Sequence, residues 1–401
     1  MTAPLLRFRR ALPLSLPKFS FSENSIPYHN LEYSTYSRSL KATINDLSKE
    51  RDLDKLVDDF KLASDSHRFR CLHNIYEFTV RRLSAASRLD AVESIIEHQK
   101  RFAADLAREG FGVRLISLYG KALMATHALN TFHQLPSLGS PRSVMSFNAV
   151  LVALATAGDY PRLEETFRDV PAGDTSIIPN LISYKILMKS LSDKGDLKAA
   201  LDSLSLMEKS GIAPDLVCFN ILLNGLYDCK LFSDADRIWN RMAMKNIQPD
   251  TRSFNAKMRG LVSIGKISEA VDILDNISQS GLKPDIFTFN ALIKGYCQEG
   301  NLEQAKMVYR DLVKNECAPN RGTLMALIPR LSEAAEFDFA LELCKKSLHQ
   351  RCSPGSEILQ AVVDGLAKNS KAEEAEKLVE MARANGHSGE SIRMPLSGLS
   401  V

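Results

Sequence analysis

Asn220, Asn255 and Asn290 lie 35 residues apart, and Asp250, Asp285 and Asn320 each follow one of them by 30. A carboxamide carries N–H donors and an acceptor oxygen, so it can recognise a hydrogen-bonding edge. It has no proton or nucleophile to supply at neutral pH. Each Asn sits early in an apolar-periodic run, as in GLKPDIFTFNALIKGY (281–296), where Pro-Asp marks a turn just before the run. A polar group repeated at the same place is suited to non-covalent recognition. Patterns that carry catalysis are missing: there is no P-loop, nucleophile elbow or H-E-x-x-H. The seven Cys (71, 218, 229, 297, 317, 344 and 352) form no C-x-x-C, and the eight His have no metal-ligand spacing. No disulfide framework, metal site or cofactor is expected, a reducing compartment fits, and the chain reads as non-enzymatic.

What positions these residues is an internal repeat. Pro179, Pro214, Pro249, Pro284, Pro319 and Pro354 are spaced by 35, as are Ala200, Ala235, Ala270, Ala305, Ala340 and Ala375. Gly225, Gly260 and Gly295 keep the same period, with Gly365 two periods on. Clear units run 181–215, 216–250, 251–285, 286–320 and 321–355. A 37-residue unit precedes them at 144–180, with its surplus assigned to the loop PAGDTS. Weaker units fit 37–72, 73–108 and 109–143, and a partial one opens at 356, which makes about ten.

Each unit reads as two helices. In 216–250 the first covers roughly VCFNILLNGLYDC, a break falls at 230–232, and Ser233 is the expected N-cap of a second helix ending near Met244. Pro249 closes the unit, because Pro cannot continue a helix. Gly225 and Ala235 put small groups where the paired helices would meet. One such hairpin cannot bury its own apolar face, so hairpins must stack, giving an all-α solenoid. The expected organisation is an organelle transit peptide or disordered start at 1–36 and divergent helical repeats at 37–143. Well-formed repeats follow at 144–320, then divergent repeats at 321–387 and a disordered tail at 388–401.

The totals are those of an ordinary soluble protein, with 401 residues, 45% hydrophobic and 25% charged. A net charge of +3 does not by itself announce nucleic acid. The first 22 residues hold Arg7, Arg9, Arg10 and Lys18 and no acid, the composition of an organelle transit peptide. Without residues 1–36 the chain has 47 basic against 46 acidic residues. No stretch reaches the roughly 18 apolar residues of a membrane span.

The strings VCFNILLNGLYDCKLFSDADRIWNRMAMKNIQPD and IFTFNALIKGYCQEGNLEQAKMVYRDLVKNECAPN resemble pentatricopeptide repeats, and their constant length resembles the P class of that family. The resemblance covers about residues 37–386. It implies a right-handed α-solenoid that binds single-stranded RNA, mRNA or rRNA rather than DNA, mostly in plant organelles. The Arg-rich start tips the expectation to the mitochondrion, with the plastid as the alternative. The family reads one base per repeat, mainly through the fifth and last residues. By that correspondence Asn148 with Asn180 reads a pyrimidine, and Asn220 with Asp250 and Asn255 with Asp285 read uracil. Asn290 with Asn320 reads a pyrimidine again. Lys185 with Asp215 departs from the pattern and leaves its base unread. The implied ligand is short and pyrimidine-rich, of the form Y-N-U-U-Y, read 5′ to 3′ along the array. The second residues, Met145, Ile182, Val217, Arg252 and Phe287, line the space between bases in the family, and their apolar or planar groups suit stacking.

Outside these repeats the fifth positions hold Glu77, Val113, Met325 and Gln360, which depart from the code. A stripe at the ninth position, Arg81, Lys189, Arg259 and Lys294, is the expected phosphate contact. The thirteenth position, commonly Lys in the family, is Asp193, Asp228, Ser263, Gln298 and Glu333 in consecutive units. The main expectation is sequence-selective, non-catalytic occupancy of a short RNA, acting on RNA stability, processing or translation. The alternative is a structural and assembly subunit of the plant mitochondrial ribosome's small subunit, binding rRNA and ribosomal proteins.

Overall fold

The computed structural model describes residues 39–350, 352, 354–386 and 392–395. The expected transit segment at 1–36 lies outside these residues. Among the described residues all regular structure is helical, in 22 helices. Two compact units divide at Ser190 and Leu191. The first holds α1 (Leu40–Lys49), α2 (Leu53–Ala63), α3 (His67–Arg70), α4 (His73–Ala85), α5 (Leu89–Gln99), α6 (Ala103–Leu106), α7 (Glu109–Lys121), α8 (Ala125–Gln134), α9 (Val144–Thr156) and α10 (Tyr160–Gly173). The boundary falls within α11 (Leu181–Lys194). The second holds α12 (Leu197–Lys209), α13 (Leu216–Asp228), α14 (Phe232–Met244), α15 (Thr251–Ser263), α16 (Ile267–Gln279), α17 (Ile286–Gln298), α18 (Leu302–Lys314), α19 (Arg321–Glu333), α20 (Phe337–His349), α21 (Ser356–Lys368) and α22 (Ala372–Ala384).

In the second unit each repeat is a helical hairpin closed the same way. Lys230, Gly265, Gly300, Ala335 and Ser370 all have φ between 58° and 76°, one in each hairpin turn. The next N–H reaches back across the turn: Leu231 to Leu226 O at 2.8 Å, Lys266 to Leu261 O at 3.0 Å, Glu336 to Leu331 O at 2.8 Å. This is the Schellman closure, which satisfies carbonyls left over at a helix end. It also moves a helix start. The N-cap of α14 is Leu231, with no side-chain cap, and Ser233 stands one residue inside the helix rather than at its cap. The surplus of the 144–180 unit is likewise placed differently from expectation, since Pro171, Ala172 and Gly173 extend α10 and only the remainder is loop.

Small residues let successive repeats stack. Ala200, Ala235, Ala270, Ala305, Ala340 and Ala375 are all fully buried. The glycines face backwards, toward the preceding repeat rather than the partner helix. A Cβ on Gly225 would lie 2.7 Å from Leu197 Cδ2, and one on Gly295 would lie 2.7 Å from Ile267 Cδ1. The apolar faces then merge, with Phe289, Ile293, Leu324, Leu327, Leu359 and Val362 in one core cluster. In the first unit, α3 and α6 add single turns between hairpins. There Phe60 meets Phe69 and Tyr76 edge-on at 5.2 and 4.9 Å, and Arg70 Nε donates to the buried Asp105 at 2.5 Å.

The expected disordered tail, 388–401, is described only at 392–395, and these residues are docked. Ile392 is fully buried in the cluster that includes Leu359 and Val362. An apolar anchor inside a Ser- and Gly-bearing segment was given too little weight in the sequence.

Two outcomes follow from this packing. Gly365→Ala would push a Cβ into the Phe337 ring, so it should destabilise by about 1–3 kcal/mol. Gly110 has open space around it, so Gly110→Ala in α7 should stabilise by roughly 0.5–1 kcal/mol; thermal unfolding followed by circular dichroism compares the two. Burial pushes the Cys297 thiol up to about 11 and the Cys344 thiol up to about 12, so both stay protonated at pH 8. Iodoacetamide at that pH should label the exposed Cys71 and Cys229 and spare Cys297 and Cys344, as read by peptide mass spectrometry.

Candidate nucleic-acid interface

The Pro-Asp turns end at helix N-caps. Asp285 precedes α17, and its Oδ1 accepts from Phe287 N–H at 2.9 Å and Thr288 N–H at 3.0 Å. The Thr288 hydroxyl accepts from Asp285 N–H at 3.1 Å, which completes a capping box. Asp250 with Ser253 and Asn320 with Thr323 repeat the arrangement before α15 and α19. Each cap thus satisfies donors that the first turn leaves open.

The same atoms hold the preceding repeat's Asn. Asn255 Nδ2 donates to Asp285 Oδ1 at 2.9 Å, and the Thr288 hydroxyl donates to Asn255 Oδ1 at 2.7 Å. Asn220 donates to Asp250 at 3.1 Å and accepts from Ser253 at 2.6 Å. Asn290 donates to Asn320 at 3.0 Å and accepts from Thr323 at 2.7 Å. In the first unit Asn148 donates to Asn180 at 3.2 Å and accepts from Ser183 at 2.6 Å. All four fifth-position Asn side chains are therefore clamped by the last residue of their own repeat and the third residue of the next. An Asn side chain has two N–H groups and two acceptor lone pairs. Among the described residues the clamp takes one of each and leaves one N–H and one lone pair. That remainder is one donor and one acceptor, a pair that does not by itself distinguish one base edge from another.

The third-position residues Ser183, Ser253, Thr288 and Thr323 were missed in the sequence. Their 35-residue register was visible, with Cys218 as the interruption. At that interruption Asp215 caps α13 by accepting from Cys218 N–H at 3.2 Å. Lys185 lies on α11 in the other unit.

The expected stacking residues divide by exposure. Phe287 is 61% exposed, Val217 47% and Met145 39%, Arg252 is exposed, and Ile182 is half-buried. Large apolar groups left open beside a set of polar amides need a reason, and a planar ligand supplies one. The ninth-position set is less uniform. Arg81 and Lys294 are exposed, and Lys189 is half-buried. Arg259 donates to Asn224 Oδ1 at 2.5 Å and lies 3.8 Å from Asp228, so part of its charge is matched within the protein. The off-code Glu77 is paired with Lys121.

With this geometry in place the comparisons are direct. The PPR repeat family matches residues 179–228, 214–263, 249–298 and 284–333, and a PPR repeat matches 359–387. The chain is a pentatricopeptide repeat protein. It is 42% identical over 175 residues to the small ribosomal subunit protein mS78 (rPPR3a) of Arabidopsis thaliana, covering 44% of this chain and 43% of that one. It is 38% identical over 174 residues to mS79 (rPPR3b) of the same plant, covering 43% of each. The match thus spans less than half the length of these relatives. The crystal structure of the pentatricopeptide repeat protein PPR10 from maize superposes with a TM-score of 0.45 at 19% identity, over 85% of this chain and 58% of that one.

The clamp gives a separable outcome. Asn255→Val removes the clamped amide, and Thr288→Val removes its hydroxyl partner together with the acceptor for Asp285 N–H in the α17 cap. Both should leave far-ultraviolet circular dichroism unchanged. Asn255→Val should weaken binding of a uridine-rich RNA by roughly tenfold, and Thr288→Val by less, in a filter-binding assay.

Proposed function

We propose that this protein is a mitochondrial ribosome-associated repeat protein that binds single-stranded segments of rRNA on the small subunit by occupancy, without catalysis. One observation carries the reading: identity of 42% to mS78 and 38% to mS79, both small ribosomal subunit proteins. The geometry is compatible with it. Only four fifth positions carry the clamped Asn, and two of the four ninth-position cations are exposed and lack a described ion pair, so the surface suits a short RNA held within a larger assembly. Affinity that rests on few phosphate contacts is modest alone and is reinforced when neighbouring proteins hold the same RNA.

A second reading, selective occupancy of a free transcript, has its own support in the uncommitted N–H and lone pair of each clamped amide. Both readings share the elementary act, recognition of a pyrimidine-rich strand of the form Y-N-U-U-Y through the fifth and last residues, and both place it in the mitochondrion. Among the described residues no helix is long and apolar enough to cross a membrane.

Fractionation separates the readings. A mitochondrial lysate prepared with RNase inhibitor and run on a sucrose gradient should place the protein with the small ribosomal subunit. Migration as a small RNA particle would instead support the free-transcript reading, and a position at the top of the gradient that is unchanged by RNase would count against both.

A further inference from the structure

Gln360 is the fifth residue of the repeat that opens at Ser356, the same place in α21 that Asn290 holds in α17. Its partner is not a side chain of a following hairpin. Arg393 N–H donates to Gln360 Oε1 at 2.9 Å, and Gln360 Nε2 donates to Arg393 O at 2.8 Å. The sequence separation is 33, the separation at which Thr288 meets Asn255 and Thr323 meets Asn290. Residues 392–395 thus lie where a further repeat would open, in non-helical form, and a backbone peptide takes the role that the third-position hydroxyl plays elsewhere. Ile392, fully buried in the core cluster, anchors this strap to the last hairpin.

Counting donors separates Gln360 from the clamped Asn residues. Its second N–H goes to Asp364 Oδ1 at 2.7 Å, so both of its N–H groups are committed. Each clamped Asn keeps one. The peptide of Arg393 offers Gln360 one donor and one acceptor, the pair that a uracil edge also offers.

Resting on the RNA reading above, we infer that the strap at 392–395 is a built-in occupant of the base-reading position on α21: it blocks the RNA path there by holding Gln360 in a base-like pairing with the chain's own backbone.

The test uses the full chain, Arg393→Pro, which removes the N–H but keeps Ile392, and Ile392→Asn, which unseats the anchor. The RNAs are a pyrimidine-rich oligonucleotide and the same strand lengthened at its 3′ end by two uridines to reach past Met325. The full chain should bind both equally. The variants should prefer the longer strand by about fivefold or more; because Arg393→Pro also removes a positive charge, a gain cannot come from phosphate attraction. Hydrogen exchange at 392–395 in the absence of RNA should show protection that Gln360→Leu abolishes. Unprotected amides in the full chain overturn the strap, whatever the RNA does. Equal gain from lengthening in the full chain and the variants also overturns it. So does no gain in the folded Arg393→Pro chain while Asn255→Val still weakens both strands. If none of the chains binds either strand, the RNA reading itself falls, and the occlusion with it.

Discussion

A single side-chain oxygen on each clamping N-cap, from Asp250, Asp285, Asn180 or Asn320, does two tasks that are usually separate. Asp285 Oδ1 holds the first-turn N–H groups of α17, and it holds the amide of Asn255 in the repeat before. The start of one helix therefore fixes the recognition group of its neighbour. A change that frays the helix start also loosens the amide, whereas a change of the amide itself leaves the cap in place. A side chain held by two partners has already lost its rotamer freedom before a ligand arrives, and this lowers the entropy lost on binding.

This coupling needs the stacking beneath it. The clamp spans two repeats, and its distances hold only if the hairpins keep a constant offset. The buried alanines and the backward-facing glycines set that offset through Leu197, Ile267 and Val262. In the first unit, Glu109 adds to the Ser143 cap of α9: its carboxylate accepts from Ser143 and Ser146 N–H at 2.8 and 3.1 Å. A reading amide is missing from the helix that supplies Glu109, where the fifth position is Val113.

Much of this was legible in the sequence, and the reason is the period. Pro, Ala, Gly and Asn locked to 35 residues fix hairpins, stacking and the register of the Asn residues without any tertiary information. What the period cannot show is direction. The glycines were expected to serve the partner helix and serve the preceding repeat instead. Ser253, Thr288 and Thr323 read as ordinary first-turn residues, because their hydroxyls act on a residue 33 positions upstream. The Ser233 cap failed because a Schellman turn, set by a left-handed Lys230, begins the helix earlier. Docking at 392–395 was hidden because it rests on one Ile and one backbone pairing rather than on a pattern.

The left-handed residue in each hairpin turn limits where the chain can change length. Within a hairpin, one added residue would move the positive φ onto a neighbour and rotate the second helix off the stack. Between hairpins the same lock recurs, with Gly211, Asn246, Gly281 and Glu316 at φ of 54–75° after the second helices. The 37-residue unit at 144–180 lacks it after α10 and places its surplus there, by extending α10 and the loop before α11 while Gly158 keeps its left-handed place. Among the described residues the extra length thus sits at the one such junction of the regular array where the left-handed closure is missing, and the repeats that keep both closures keep the 35-residue length.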